Sequence, residues 1–350
     1  MTPHSYSDIP IESFEKHYIP LPLVIAYEPI NLCNAKCYCC PYSWLGESKE
    51  YTSQKMSREQ ITQLMEDYGQ LTQKYKVKPF SCVVQPWRFS DPLVCPDLDI
   101  VFELADKYNI QVRLTTNGVS FNKRQCDIIQ KYIHLVPQIF VSVIGFNQQE
   151  VREQMGLDME RNITKLEWVR DNYPDISKKL NLPLKSKAQT EMPPKQLMDR
   201  YKKAILGKVR VKKNWVKNRS GDGDGIWFGT KKAEINKHLY VAGCTMRNGE
   251  LMRQMEVLVN GSGLLCCDDV DGKKQTFGNV FEIGIEKVWN NLQKEHSIIN
   301  DRLYRSEKKD LICSNCSRAR FNTDPAWNEQ YVKFQIKDHR KKSNEAGLKV

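Results

Sequence analysis

No apolar run in the 350-residue sequence approaches the roughly 20 residues that a membrane-spanning helix requires. The N-terminus, Met1 to Pro10, also lacks the apolar core of a secretory signal. Both absences point to a cytoplasmic protein. In that reducing compartment the 12 cysteines are not expected to pair as disulfides, and a chain this long needs no such staples. Acidic residues are in deficit, 42 against 53 Lys and Arg, which leaves a net charge of +11. Much of the excess sits in Lys178 to Lys187, Lys202 to Lys217 and Lys333 to Lys349. No aromatic-rich basic motif of an RNA module accompanies those runs, so they read as solvated faces and nucleic acid is not the expected partner.

What the chain does have is clustered cysteine. Cys33-Asn34-Ala35-Lys36-Cys37-Tyr38-Cys39-Cys40 follows the apolar run Leu21 to Tyr27, which reads as a strand, and contains C-x3-C-x2-C. Four cysteines in eight residues are too dense for ordinary core packing, so the loop is expected to bind metal. Three thiolates can hold three irons of a [4Fe-4S] cubane, whereas a closed zinc or cluster site needs a fourth ligand. Either Cys40 or its neighbour Cys39 supplies the third. Cys82, Cys95 and Cys126 stand alone and read as core thiols. A second set comprises Cys244, Cys266 with Cys267 beside it, and Cys313-Ser314-Asn315-Cys316, a spacing that suits zinc and an iron-sulfur cluster equally.

Between the two sets, strands and helices alternate. A capping box at Ser57 to Gln60 opens a helix carrying Ile61, Leu64, Met65, Tyr68 and Leu71 on one face. Strands are expected at Phe80 to Gln85, Gln111 to Thr115, Gln138 to Ile144, near Leu184 to Thr190 and near Val209 to Val216. Further helices are expected around Leu98 to Ala105, Asn122 to Ile133, Ile163 to Asn172 and Pro194 to Leu206. Six β/α units argue for parallel α/β architecture, with chemistry in the loops after the strands.

The cysteine loop resembles that of the radical SAM superfamily, and three further segments resemble motifs of the same family. Phe89-Ser90-Asp91-Pro92-Leu93 stands where a Gly-Glu-Pro segment is usual. Thr115-Thr116-Asn117-Gly118 ends strand 3 as a Thr-Asn-Gly does. Ser142 sits where a polar residue near the cofactor is common. The resemblance implies an open (β/α)6 barrel, with Cys33, Cys37 and Cys40 binding a catalytic [4Fe-4S] cluster whose open iron chelates S-adenosyl-L-methionine. It also makes Tyr38, Ser90, Asp91, Asn117 and Ser142 candidate cofactor contacts, with Arg152 a further candidate for the cofactor carboxylate.

A second resemblance is to the SPASM/Twitch extension of that family. It rests on G-x4-C at Gly261 and Cys266, Phe277-Gly278-Asn279-Val280 and Ile285-Glu286-Lys287-Val288-Trp289. Because no cysteine follows Cys316, the shorter Twitch form is implied, with one auxiliary [4Fe-4S] cluster on Cys244, Cys266, Cys313 and Cys316; Cys267 is the alternative to Cys266. The expected domains are an extension over 1–20, a radical SAM core over 21–217, a linker over 218–240, the auxiliary domain over 241–320 and a basic tail over 321–350.

The implied activity is hydrogen abstraction from a small polar or sugar-like substrate, a direction suggested by Asn218-Arg219-Ser220-Gly221-Asp222, followed by oxidation with an electron passed to the auxiliary cluster. An electron donor such as flavodoxin or ferredoxin would be a partner. A peptide maturase is the alternative; about 20 residues precede strand 1, too few for the leader-binding domain such enzymes often carry. The alternative of another class is a non-catalytic zinc protein that binds RNA.

Overall fold

The structure is a computed structural model that describes residues 17–42, 52–186, 192–212, 240–244, 252–267, 269, 276–304, 319–322 and 336–348. The chain divides into two compact units that interleave in sequence. One comprises 26–69 and 83–225; the other comprises 1–25, 70–82 and 226–350. The linear division drawn at 218–240 differs from this partition, which returns the N-terminal segment and residues 70–82 to the C-terminal unit.

The first unit is the α/β layer. β1 (Val24–Tyr27) ends in it, and α1 (Arg58–Lys74) begins in it. The capping box at the start of α1 is formed as expected: Ser57 Oγ accepts from Gln60 N at 3.2 Å and Gln60 Oε1 accepts from Ser57 N at 2.8 Å. Next come β2 (Val83–Gln85), α2 (Leu98–Lys107), β3 (Gln111–Val112) and β4 (Leu114–Thr116), then α3 (Lys123–Lys131), β5 (Ile139–Val141) and β6 (Val143–Ile144). α4 (Gln148–Met155), α5 (Met159–Asn172), α6 (Pro174–Lys179), β7 (Leu180–Lys185), α7 (Lys195–Ala204) and β8 (Lys208–Val211) complete it.

β2 pairs in parallel with β3, β4 with β5, β5 and β6 with β7, and β7 with β8. β3 and β4 are one strand interrupted at Arg113, whose N–H still reaches Val84 O at 2.9 Å. The parallel architecture is therefore as expected. Three local details differ. The fifth strand starts four residues early, because Pro183 sits inside it without breaking the register. Helix α4 follows the fourth strand directly. α6 begins at Pro174, whose fixed φ suits a first helical turn.

Register assigns every strand residue to a face. Thr115 partners Phe140, Phe140 partners Asn181, and Asn181 partners Lys208, while Ile144 partners Lys185 and Pro183 partners Arg210. The offset between β5–β6 and β7 is constant, so Ser142 shares that face. The other face carries Leu114, Ile139, Val141, Val143, Leu180, Leu182 and Leu184, each at most 2% exposed, and forms the apolar core.

In the second unit, β9 (Tyr240–Cys244) pairs antiparallel with β12 (Ala319–Asn322), and β10 (Gln254–Val257) forms a hairpin with β11 (Gly263–Leu264). α8 (Val280–Ile283) and α9 (Ile285–Tyr304) follow β11, and a further helix spans 336–345. Trp289, on α9, is fully buried and donates from Nε1 to Ile19 O at 2.8 Å. Gln293 clasps the same residue, accepting from Ile19 N at 2.9 Å and donating to Ile19 O at 2.8 Å. Among the described residues, no helix is long and apolar enough to cross a membrane.

Candidate active site

The cysteine loop leaves β1 and is held by backbone rather than by regular structure. Lys36 N donates to Met155 O at 2.8 Å and Tyr38 N to Gln154 O at 2.9 Å, so the C-terminal carbonyls of α4 are satisfied by the loop. Gly156 caps that helix with φ of 65°, and its missing Cβ lets Lys36 lie alongside. Cys40 N closes a turn onto Cys37 O at 2.9 Å. Cys33, Cys37 and Cys40 are half-buried. Cys39 is 5% exposed and packs with Ile144 and Met155, and Cys37, Tyr38 and Leu157 pack against that cluster. Burial therefore divides the four cysteines, with Cys39 inside the core cluster and Cys33, Cys37 and Cys40 partly accessible.

The loop after β2 is fastened to the end of β4 by a buried carboxylate. Asp91, 2% exposed, accepts at Oδ2 from Thr116 Oγ1 and Asn117 N, both at 2.8 Å, and at Oδ1 from Leu93 N at 3.0 Å. Asn117 in turn donates from Nδ2 to Asn34 Oδ1 at 2.6 Å, beside Cys33, and accepts at Oδ1 from Val119 N at 3.0 Å. Gly118, with φ of 83°, leaves room for Asn162 Nδ2 to donate to Asn117 O at 2.6 Å. Three strand-end loops are therefore joined side chain to side chain. In this arrangement Asp91 and Asn117 spend their polar groups on protein partners. Ser90 is different: it is 6% exposed, and its Oγ is buried without a hydrogen-bond partner. Phe89 O lies 3.8 Å from Cys40 Sγ, which places this loop against the third thiol of the motif.

Electrostatics mark the loop as a place for cations. Burial, then the charge of Asp91, pushes the Cys33 thiol up to about 11. Burial also raises Cys37 well above its ordinary value, with Cys40, Cys39 and Cys33 adding to the rise and Lys185 opposing it. Neighbouring sulfurs that penalise each other's thiolates fit a site that ionises only when a metal arrives. Among the described residues no three His, Cys, Asp or Glu side chains converge on a single-ion geometry. Thiolates of a cubane each take a different iron, so they need no such convergence.

Ser142 lies on the same strand face as Ile144, half-buried, and its Oγ accepts from Lys185 Nζ at 3.1 Å. Arg152 is 71% exposed at its side chain and pairs with Asp158 at 3.6 Å. Lys185, Asn34 and Asn162 were not expected from the sequence. Asn34 lies within the cysteine motif, but only the fold pairs it with Asn117; Lys185 and Asn162 stand outside any recognisable motif, and only strand register or the fold brings them to the site.

In the second unit, Cys266 and Cys267 are half-buried just past the β10–β11 hairpin. Gly261 turns that hairpin with φ of 89°, donating to Leu258 O at 2.8 Å. Phe277-Gly278-Asn279 runs alongside: Gly263 N donates to Gly278 O at 2.9 Å, Phe277 N to Gly263 O at 3.1 Å, and Val280 N to Gly261 O at 2.9 Å. His296 Nε2, held neutral by burial, meets Leu265 O at 3.0 Å, one residue before Cys266. Cys244 ends β9 opposite Ala319, three residues on from Cys316 in the sequence; Cys313 and Cys316 lie outside the described residues.

Comparison with known proteins matches both regions. A family model described as the radical SAM superfamily covers residues 27–185, and one described as an iron-sulfur cluster-binding domain, SPASM, covers 244–317. No curated protein matches the sequence. Among solved structures, BtrN in complex with AdoMet and 2-DOIA superposes with a TM-score of 0.50 at 18% identity, over 85% of this chain and 93% of that one. Native anSMEcpe with bound AdoMet gives 0.50 at 14% identity, over 93% and 99%. At these identities the likeness shows the fold.

Proposed function

Because the chain is a radical SAM enzyme with a C-terminal SPASM-type iron-sulfur domain, we propose that Cys33, Cys37 and Cys40 hold its catalytic cluster and that it oxidises a small polar substrate. The carrying observation is the division of one loop into three half-buried thiols and one, Cys39, turned into the core. That division favours Cys40 over Cys39 as the third ligand. When bound, the cluster and S-adenosylmethionine supply a 5′-deoxyadenosyl radical that abstracts hydrogen from the substrate.

The residues around the thiols orient and seclude. Ser90 offers a buried hydroxyl with no protein partner, suited to a polar group of the cofactor. Tyr38, which packs against the cluster of Cys39, Ile144 and Met155 as Cys37 does, is the candidate for the adenine. Asp91 and Asn117 act by position, holding the loops after β1, β2 and β4 in register. Ser142 and Lys185 supply polarity on the sheet face next to the loop. Cys244, Cys266, Cys313 and Cys316 would hold one auxiliary cluster, and four thiolates would close it to substrate and leave it an electron carrier.

BtrN, crystallised with AdoMet and 2-DOIA, is a relative of the same fold with a small-molecule ligand. That favours a small polar substrate for this chain. The test is iron and sulfide per chain after anaerobic reconstitution, native against a Cys33, Cys37, Cys40→Ala variant. About eight irons falling to about four is expected. Substrate-dependent release of 5′-deoxyadenosine with polyols, and not with peptides, would then support the substrate class. Zinc in place of iron in both proteins would reject the reading.

A further inference from the structure

Lys185 is a half-buried cation at the C-terminal end of β7. Across the strands its direct partner is Ile144, and its carbonyl accepts from Gly145 N at 2.7 Å. Its ammonium donates to Ser142 Oγ at 3.1 Å. Ile144 packs on Cys39, and Cys37 packs against the same cluster. One side chain removed from the loop, therefore, a cation is fixed on the sheet face that the loop covers.

We propose that Lys185 acts through the cluster held by Cys33, Cys37 and Cys40, stabilising its reduced form and so raising its reduction potential; this rests on the reading of those thiols as ligands. In the step concerned, one electron enters the cluster from an external one-electron donor, no proton moves, and the cluster's net charge falls by one. A fixed positive charge beside a ligand lowers the energy of the more negative state by more than that of the oxidised state. Charge at this position is the requirement, so arginine should replace lysine and methionine should not.

The experiment is a redox titration of the full-length reconstituted protein with dithionite, without S-adenosylmethionine, followed by electron paramagnetic resonance. The catalytic-loop signal is assigned by its loss in the Cys33, Cys37, Cys40→Ala variant. Lys185→Met should make reduction about tenfold less favourable, a fall of about 59 mV for one electron. Lys185→Arg should restore most of it, and the signal of the auxiliary cluster should not move. Lys185→Gln provides the same reading if the methionine variant folds poorly. A loop loaded with iron whose potential is unchanged in both neutral variants overturns the proposal, even if S-adenosylmethionine binds less well. A native protein that takes up no iron on this loop overturns the ligand assignment with it.

Discussion

The two cysteine-bearing regions are built in opposite ways. Around Cys33 to Cys40 the chain is irregular: backbone hydrogen bonds tie the loop to the end of α4, and side-chain hydrogen bonds fasten the neighbouring strand-end loops to one another and to Asn34, through Asp91 to Thr116 and Asn117, Asn117 to Asn34 and Asn162 to Asn117. Around Cys266 the order comes from backbone hydrogen bonds, the positive-φ glycines Gly261, Gly278 and Gly284, and the apolar packing of α9, which buries Trp289. A polar clamp holds several loops at defined positions and depends on each of its acceptors. A packed hairpin tolerates the loss of one hydrogen bond and fails instead where volume or backbone conformation is wrong. The region that must position a reactive cofactor thus uses directional contacts, and the region expected to relay electrons uses packing.

The largest effect should come from breaking the clamp. Asp91→Ala leaves the donors of Thr116, Asn117 and Leu93 buried without their acceptor, which should cost about 3 kcal/mol or more in denaturant unfolding. It should also lower iron on the catalytic loop while leaving the auxiliary cluster loaded. Retention of full iron and stability would show that the clamp is decorative.

Acid should act on the other region. His339 is fully buried, Nε2 bonded to His17 O at 2.6 Å, and burial lowers it from its ordinary 6.5 to about 4. Its folded state holds the neutral ring, so the associated stability is present above about pH 6.5 and is lost as pH falls toward 4, on the order of 3 kcal/mol. Hydrogen exchange in helix 336–345 should accelerate over that window, and His339→Asn should flatten the dependence. A window unchanged in that variant would assign the lability elsewhere.

The contrast explains what was legible in advance. Cysteine spacing identified both regions because ligand spacing is local, and the capping box at Ser57 and Gln60 formed as read because its two bonds span three residues. The alternation of strands and helices carried the parallel architecture. The clamp was not legible as a clamp: Asp91 and Asn117 stood out as motif residues, but their use on each other depends on loops 26 residues apart in sequence meeting at one sheet edge. Lys185 was hidden for a related reason, since only the register of β6 against β7 places it beside Ile144. Pro183 and the neighbouring lysines disguised that strand, and α4 was missed because its polar sequence, Gln148–Met155, has little apolar periodicity.

Gly261 tests whether backbone conformation governs the auxiliary side. At φ of 89° a Cβ is strained, and it would press on the Phe281 ring and Asn279 Oδ1, so Gly261→Ala should cost about 2 kcal/mol. Iron should fall on the auxiliary cluster alone, the mirror image of Asp91→Ala.

The smallest effect separates packing from hydrogen bonding within that same region. Trp289→Phe removes the Nε1 donor to Ile19 O, yet Gln293 Nε2 still donates to that carbonyl at 2.8 Å. The acceptor is not orphaned, so the loss should be about 1 kcal/mol for the bond, with a further contribution from the smaller ring. Gln293→Leu should cost more, because Ile19 N then loses its acceptor, Gln293 Oε1 at 2.9 Å, inside the core. If the order were reversed, with the tryptophan variant unfolding first in urea, the auxiliary unit would depend on ring volume alone. The clasp on Ile19 would then be a consequence of the packing and not one of its causes.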